Sequence, residues 1–320
     1  MLSMNRKTIS IMTPCFNEAP GIADCYHVIR ELFETRLPGY DYEHVFIDNC
    51  SKDRTVEILR GIAATDRRVK VIVNSRNFGA ARSSYHGFLE TSGDAVIPVL
   101  ADLQTPPSLI PELLAKWEQG NSMVLAVRTA GTDGWFMRQC RKTFYQLMAR
   151  FSGVEQIQNF VGYGLYDAAV VQVLRDLREP DPYFRGMVTE IGFDKTFIEY
   201  VQPARLHGKS SYTFLSLLDY AVLGLTSYSK IPLRLMTIAG VTLSAASMLI
   251  ALTYLVIKLV SWKTFELGLA PLLIGTFFFA SVQLLFIGLL GEYVGAIYAQ
   301  VKGRPLVIEK ERINFDPPPN

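Results

Sequence analysis

The sequence predicts an α/β domain on a parallel sheet, followed by a helical hairpin long enough to cross a bilayer. Three observations carry this. Between Thr8 and Thr91, short apolar runs alternate with helical patterns, the rhythm of a parallel sheet covered on both faces. A further apolar run, Ala95 to Leu100, has no helical period and leads into Ala101-Asp102-Leu103-Gln104, the end of a buried strand. Finally, Leu235–Ile257 and Leu267–Gly291 carry no charged residue, and each exceeds the roughly 20 residues a helix needs to cross the hydrocarbon core.

Taken in order, Thr8–Thr13 is a strand closed by the polar turn Pro14-Cys15-Phe16-Asn17-Glu18, and a helix follows from about Gly21 to Thr35. Tyr42–Ile47 is a second strand ending in Asp48-Asn49-Cys50-Ser51-Lys52-Asp53, with helix over about Arg54–Ala64. Val69–Val73 is a third, ending in Ser75-Arg76-Asn77-Phe78-Gly79 before a helix to Thr91. Within the fourth, Pro98 counts against full pairing on both sides. Pro106-Pro107 then fixes the backbone ahead of a helix starting at Leu109. Met123–Val127 is another strand, Arg128–Gly134 a glycine-containing flap, and Phe136–Phe151 a helix.

Each strand thus delivers polar residues to one edge: Asn17 and Glu18, Asp48 and Asn49, Arg76 and Asn77, Asp102 and Gln104. Ligands of open α/β sheets bind at that carboxyl edge. Asp102 and Gln104 lie two residues apart, so they share a face if the backbone stays extended. Two oxygen ligands in one crevice suit a hard divalent cation that also bridges nucleotide phosphates.

The segments TPCFNEA, IDNCSKDRT, SRNFGAARS and ADLQTPP resemble the nucleotide-sugar domain of family 2 glycosyltransferases, which have the GT-A fold. With the two-span tail, nearly the whole chain resembles the polyprenyl-phosphate branch, the dolichyl-phosphate-mannose-synthase-like and bacterial GtrB-like enzymes. That resemblance implies transfer of a sugar from a nucleotide diphosphate, a UDP-sugar being favoured, to undecaprenyl or dolichyl phosphate with inversion at the anomeric carbon. It implies that Pro14, Asn17 and Glu18 line the base and ribose end, with Asn49, Arg76 and Asn77 also on the donor. It implies that Asp48 contacts the base, and that Asp102 and Gln104 hold Mg²⁺ or Mn²⁺ against the diphosphate.

The chain departs from the pattern where relatives carry an acidic D-x-R-L motif. It reads Val161-Gly162-Tyr163-Gly164-Leu165-Tyr166, with glycine at both the acid and the arginine positions, and Thr105 replaces a second acid. Further on, Glu190 in Tyr183–Glu190 offers a substitute acid. A lipid phosphate is largely a dianion at neutral pH and needs little help from a base. Cations must hold it, and Arg185, Arg205, Lys209 and Ser210 are the candidates.

Thr213–Lys230 has an apolar stripe at helical spacing, the mark of an interfacial helix. The expected layout is therefore a catalytic domain over 1–212, an interfacial helix over 213–230, a hairpin over 231–298 and a peripheral tail over 299–320. Lys230, Arg234, Lys302 and Arg304 flank the hairpin, a mild positive-inside preference. Met1–Lys7 has no apolar signal core, so the catalytic domain and both termini are expected in the cytosol, on an inner membrane. Cys15, Cys25, Cys50 and Cys140 lack metal spacing and are expected as free thiols. The net charge of +2 gives no reason to expect a nucleic-acid partner. A homo-oligomer through the membrane helices is compatible with the sequence. Two other classes compete: a processive polysaccharide synthase, disfavoured by the lack of a Q-x-x-R-W stretch, and a non-catalytic sugar-nucleotide-binding membrane protein.

Overall fold

The computed structural model describes residues 6–129, 157, 159–203, 231–260 and 269–315, which fall into two units. The first holds an eight-stranded sheet, the second two long helices. The flap beyond Thr129, the helix over 136–151, Cys140, the Arg205–Ser210 segment, the stripe over 213–230 and the link over 261–268 lie outside the described residues.

The chain runs β1 (Thr8–Cys15), α1 (Ile22–Arg36), β2 (Asp41–Asp48), α2 (Thr55–Thr65), β3 (Val69–Asn74), α3 (Ala80–Leu89), β4 (Ala95–Pro98) and α4 (Ile110–Glu118). It continues through β5 (Met123–Arg128), β6 (Phe160–Asp167), α5 (Ala168–Leu177), α6 (Phe184–Glu190) and β7 (Lys195–Tyr200). The long helices are α7 (Ile231–Val260) and α8 (Leu269–Lys302), and β8 (Glu309–Ile313) closes the chain. The sheet order is β7-β5-β6-β4-β1-β2-β3-β8.

The sheet is mixed rather than wholly parallel. Strands β4, β1, β2 and β3 run parallel, whereas β6 is antiparallel to β4 and β5, and β8 is antiparallel to β3. Pro98 fits because it is the last residue of β4. The Val99 N–H donates to Met12 O at 2.8 Å, so the alternate Pro98 nitrogen faces β6, where pairing has already ended at Val96.

Helix α1 buries Ile22, Cys25, Tyr26, Ile29, Leu32 and Phe33, a stripe at three- and four-residue steps, and Asp24 and Arg36 suit its dipole at either end. With α4 it covers Ile9, Ile11, Ile97 and Tyr163 on one face. On the other face α3 packs so closely that a Cβ at Gly87 would come within 2.6 Å of the Ile47 side chain.

Two findings bear on the expected layout. Val161–Tyr166, where the acidic motif is missing, is the body of β6. A Cβ at Gly164 would lie 2.5 Å from Val124 O, so β5 and β6 approach too closely there for any larger residue. Gly162 has φ +96°, and a Cβ would touch the Phe184 ring at 3.4 Å. Glycine is thus demanded by packing at 164 and favoured by the backbone conformation at 162. The tail, expected to be peripheral, returns to the sheet edge as β8. Ser75 N–H donates to Ile308 O at 2.9 Å, Arg60 pairs with Glu311, and Asn314 Nδ2 donates to Ala63 O and Val69 O, each at 2.8 Å.

In the second unit, Gly240 of α7 faces Phe286 of α8, whose ring lies 3.9 Å from the position of a Cβ. Gly275–Lys302 is long and apolar enough to span a membrane, and Leu235–Ile250 is a shorter apolar stretch.

Candidate active site

The carboxyl edge of the parallel strands is a set of interlocked turns. Asn17 N–H donates to Ser51 Oγ at 2.8 Å, and Asn17 Oδ1 accepts from Lys52 N–H at 2.8 Å. Glu18 N–H donates to Thr55 Oγ1 at 2.9 Å, and Ala19 N–H donates to Asp53 Oδ2 at 3.1 Å. These bonds tie the turn after β1 to the turn after β2. Asn49 ties that turn to the next: its Nδ2 donates to Asn77 Oδ1 at 3.0 Å, while its Oδ1 accepts from Phe78 N–H at 2.9 Å and from Asn74 Nδ2 at 3.3 Å.

Every one of these turns contains a left-handed residue: Asn17 (φ 58°), Cys50 (φ 66°), Gly79 (φ 87°) and Leu103 (φ 56°). For a leucine that conformation costs about 1–2 kcal/mol. Strain collected at one edge of a sheet marks a site where backbone position matters more than stability.

Carboxylates converge on the same edge. Burial, followed by the Asp102 and Glu18 charges, pushes the Cys25 thiol up to about 12 despite a hydrogen bond with Thr13. Burial likewise raises the Cys15 thiol, with Asp48, Glu18 and Asp53 adding to it. Asp102 is half-buried and turns its Oδ1 to the Gln104 N–H at 3.1 Å, and Thr105 Oγ1 accepts from Leu100 N–H at 2.8 Å to close the loop. Thr105 therefore replaces an acid with a loop clasp. Asp102, Gln104 and Glu18 offer only oxygen donors, the set a hard divalent cation takes, and such a cation draws most of its ligands from phosphates and water.

The expected residues separate on this geometry. Asn17, Glu18, Asn49 and Asn77 belong to the interlocked turns, Pro14 ends β1 beside them, and Asp102 and Gln104 lie in the separate loop that follows β4. Asp48 does not reach the surface. It is fully buried, its Oδ2 accepts from Ser51 N–H at 2.9 Å, and burial raises its carboxyl. The bond to Ser51 N–H braces the turn after β2 from within. Arg76 is exposed, with its guanidinium 3.9 Å from the Phe78 ring centroid. Glu190 and Arg185 sit together on α6, where Glu190 is exposed and its charge acts on Glu179.

Sequence reasoning missed a cluster of His86, Glu90 and Glu309, whose ligand atoms lie within 4.8 Å of one another. Arg312 answers both carboxylates there, with Nη2 at 2.7 Å from Glu90 Oε2 and 2.7 Å from Glu309 Oε1. A guanidinium supplies the positive charge, and the cluster docks β8 on the last turn of α3. The donor set does not favour a metal at this point.

The domain is an α/β fold with a mixed sheet whose carboxyl edge carries strained turns and acidic side chains, an architecture compatible with a GT-A domain. Residues 10–193 match the profile of Glycosyl transferase family 2, and the chain belongs to that family of glycosyltransferases. The likeness runs past the catalytic domain. The SfII prophage-derived bactoprenol glucosyl transferase of Shigella flexneri is 36% identical over 310 residues, 97% of this chain and 99% of that one. The glycosyltransferase YkcC of Bacillus subtilis is 35% identical over 308 residues, 96% and 94% of the two chains. Among solved structures, mannosyl-3-phosphoglycerate synthase from Rubrobacter xylanophilus aligns with a TM-score of 0.46 at 17% identity, covering 68% of this chain and 71% of that one.

Proposed function

We propose that the enzyme transfers a sugar from a nucleotide diphosphate, a UDP-sugar by preference, to a polyprenyl phosphate at a membrane surface, with inversion. One observation carries this reading. The similarity to a bactoprenol glucosyl transferase spans 97% of the chain, apolar helices included, so donor domain and lipid-facing tail are kept as one unit.

The chain leaves the sheet at Tyr200 and rejoins it at Glu309. Whatever lies between must cross a bilayer an even number of times. A crossing by α8 therefore requires a second, and α7 is the apolar helix available for it. Apolar side chains project outward along both helices, with Ile238 at 63% and Leu284 at 70% exposed, and a lipid phase would cover them. The catalytic domain over 1–212, the interfacial helix over 213–230 and the hairpin over 231–298 follow as a layout, with the tail amended to a strand of the catalytic sheet.

In the reaction, the interlocked turns hold the nucleoside and diphosphate. Asp102 and Gln104, with Glu18 near by, are the oxygen ligands for Mg²⁺ or Mn²⁺. When bound, the cation neutralises charge that builds on the leaving diphosphate without any proton transfer. An oxygen of the lipid phosphate attacks the anomeric carbon from the opposite face, the C1–O bond to the diphosphate breaks, and configuration inverts. Because the acceptor is mostly a dianion, holding it matters more than deprotonating it. Arg185 on α6, with Arg205, Lys209 and Ser210, is assigned to that phosphate, and Glu190 to the acid position that Gly162 leaves vacant.

The test is to incubate purified full-length protein with radiolabelled UDP- and GDP-sugars and undecaprenyl phosphate, with Mg²⁺, Mn²⁺ or EDTA. Label entering the organic phase from one donor, lost with EDTA and restored by metal, supports the reading. Nucleotide binding with no label in lipid under any condition refutes it.

A further inference from the structure

Arg82 lies in the first turn of α3, three residues beyond Gly79, and its guanidinium reaches across to Asp181, 99 positions further along. Nε donates to Asp181 Oδ1 at 3.0 Å, and Nη2 donates to the same oxygen. Asp181 stands three residues before α6, the helix that carries Arg185 and Glu190.

The connector that holds Asp181 is pinned at several points. Arg178 is left-handed with φ 49° and ends α5. Pro180 and Pro182 restrict the backbone on either side of Asp181. Glu179 Oε1 accepts the Asp181 N–H at 3.2 Å. Glu179 is held above its usual carboxyl range, chiefly by burial and further by Asp181 and Glu190, so three acidic groups share this corner. Arg82 is a cation fixed against them.

Helix α6 buries Met187 and Val188, and Phe184 adds a ring contact. The Phe184 ring packs edge-on to Phe88 at 5.1 Å between centroids, lies 5.3 Å from Tyr166, and occupies the space left by Gly162. These contacts seat the body of the helix, and the bond from Arg82 to Asp181 holds the connector that feeds its first residue. Glu190 stands at the far end, about 9 Å of axial rise beyond Phe184, where a small change in the entry angle of the helix is felt most. Arg185 donates a 3.5 Å hydrogen bond to Phe160 O.

We propose that Arg82 is a positioning residue for sugar transfer: by holding Asp181 it fixes α6, and with it Arg185 and Glu190, relative to the helix that starts at the donor-side turn. The inference rests on the role given to α6 above. It links the two substrates' halves of the site, because Asn77 Oδ1 accepts the Gly79 N–H at 2.8 Å just ahead of α3. The pair is 37% and 33% exposed, so its contribution to stability is small and its effect falls on turnover.

The test uses full-length protein with undecaprenyl phosphate and whichever radiolabelled nucleotide sugar is active, across Arg82→Glu, Asp181→Arg, the double swap Arg82→Glu/Asp181→Arg, and Arg82→Gln. Each single reversal is expected to lower kcat by about 10- to 100-fold with donor KM changed less than about threefold. The swap is expected to restore kcat to within about fivefold, as the opposite charges meet again. Unchanged kcat in the singles overturns the proposal, as does a swap that stays folded and binds nucleotide yet recovers nothing. If a reversal prevents folding, Arg82→Gln decides: full kcat in that variant overturns the link. Full activity in both Glu190→Gln and Arg185→Ala would remove the role of α6 itself. An inactive Glu190→Gln beside an indifferent Arg82 series would remove only the link.

Discussion

Asn49→Ala is the perturbation that tests the interlocked turns most closely. Asn49 is 5% exposed and makes three side-chain hydrogen bonds, to Asn77 Oδ1, Phe78 N–H and Asn74 Nδ2. Each is worth about 0.5–1.5 kcal/mol net, which sums to about 1.5–4.5 kcal/mol. Asn77 is exposed and can recruit water, and Asn74 Nδ2 keeps its bond to Ser83 Oγ at 3.0 Å. The lower half of the range therefore applies, about 2 kcal/mol, or about 4–8 °C in Tm for a domain of this size. Donor KM should rise in parallel, because the turn carrying Arg76 and Asn77 loses its tether. Asn49→Asp keeps the acceptor for Phe78 and Asn74 but sets a carboxylate against Asn77 Oδ1, and it should fall between wild type and Asn49→Ala. Thermal melts and nucleotide titrations on the full chain in detergent read both quantities. An Asn49→Ala protein within 1 °C of wild type with unchanged nucleotide affinity would refute the reasoning.

The remaining predictions concern the acid, the glycine and the tail. Glu190→Gln should lower turnover by about 10²- to 10⁴-fold, with donor KM near wild type, in the lipid-transfer assay; undiminished turnover would dismiss its catalytic role. Gly162→Asp restores an acid in sequence but must adopt φ +96° against Phe184. It should destabilise by about 1–2 kcal/mol in a thermal melt and leave turnover no higher. Burial opposes ionisation of Glu309, yet hydrogen bonds from His86 and Arg312 bring it down to about 2 from 4.5. A depressed carboxyl stabilises the fold at pH above its unfolded value and loses that contribution as pH falls from about 4.5 towards 2. The Tm of wild type should fall more steeply across that window than the Tm of Glu309→Gln, and equal slopes would contradict it.

The first half of the fold was legible because its signals are local. Strands and helices alternate, and polar turns follow β1, β2, β3 and β4 at one edge of the sheet. The surroundings of Asp48 were not legible: a carboxylate at a strand end can serve a ligand or brace its own turn, and only the fold shows its burial and its bond to Ser51 N–H. Gly162 and Gly164 read as losses in a catalytic motif, because a sequence cannot show the positive φ at the first or Val124 O pressing on the second. Strand β8 was hidden in Glu309–Ile313, a charged run whose partners Arg60, His86 and Glu90 lie more than two hundred residues earlier. Charged residues are what an edge strand carries to block further pairing, so the composition that concealed β8 suits its position.

The central claim is that Asp102, at the carboxyl edge of β4, serves sugar transfer to a lipid phosphate. Its most direct test compares wild type with Asp102→Ala, both confirmed folded by their melting curves, in transfer of radiolabel from the active nucleotide sugar to undecaprenyl phosphate with Mg²⁺ or Mn²⁺ present. The account predicts labelled lipid from wild type and at least about a hundredfold less from Asp102→Ala. Equal labelling by the two proteins would contradict it.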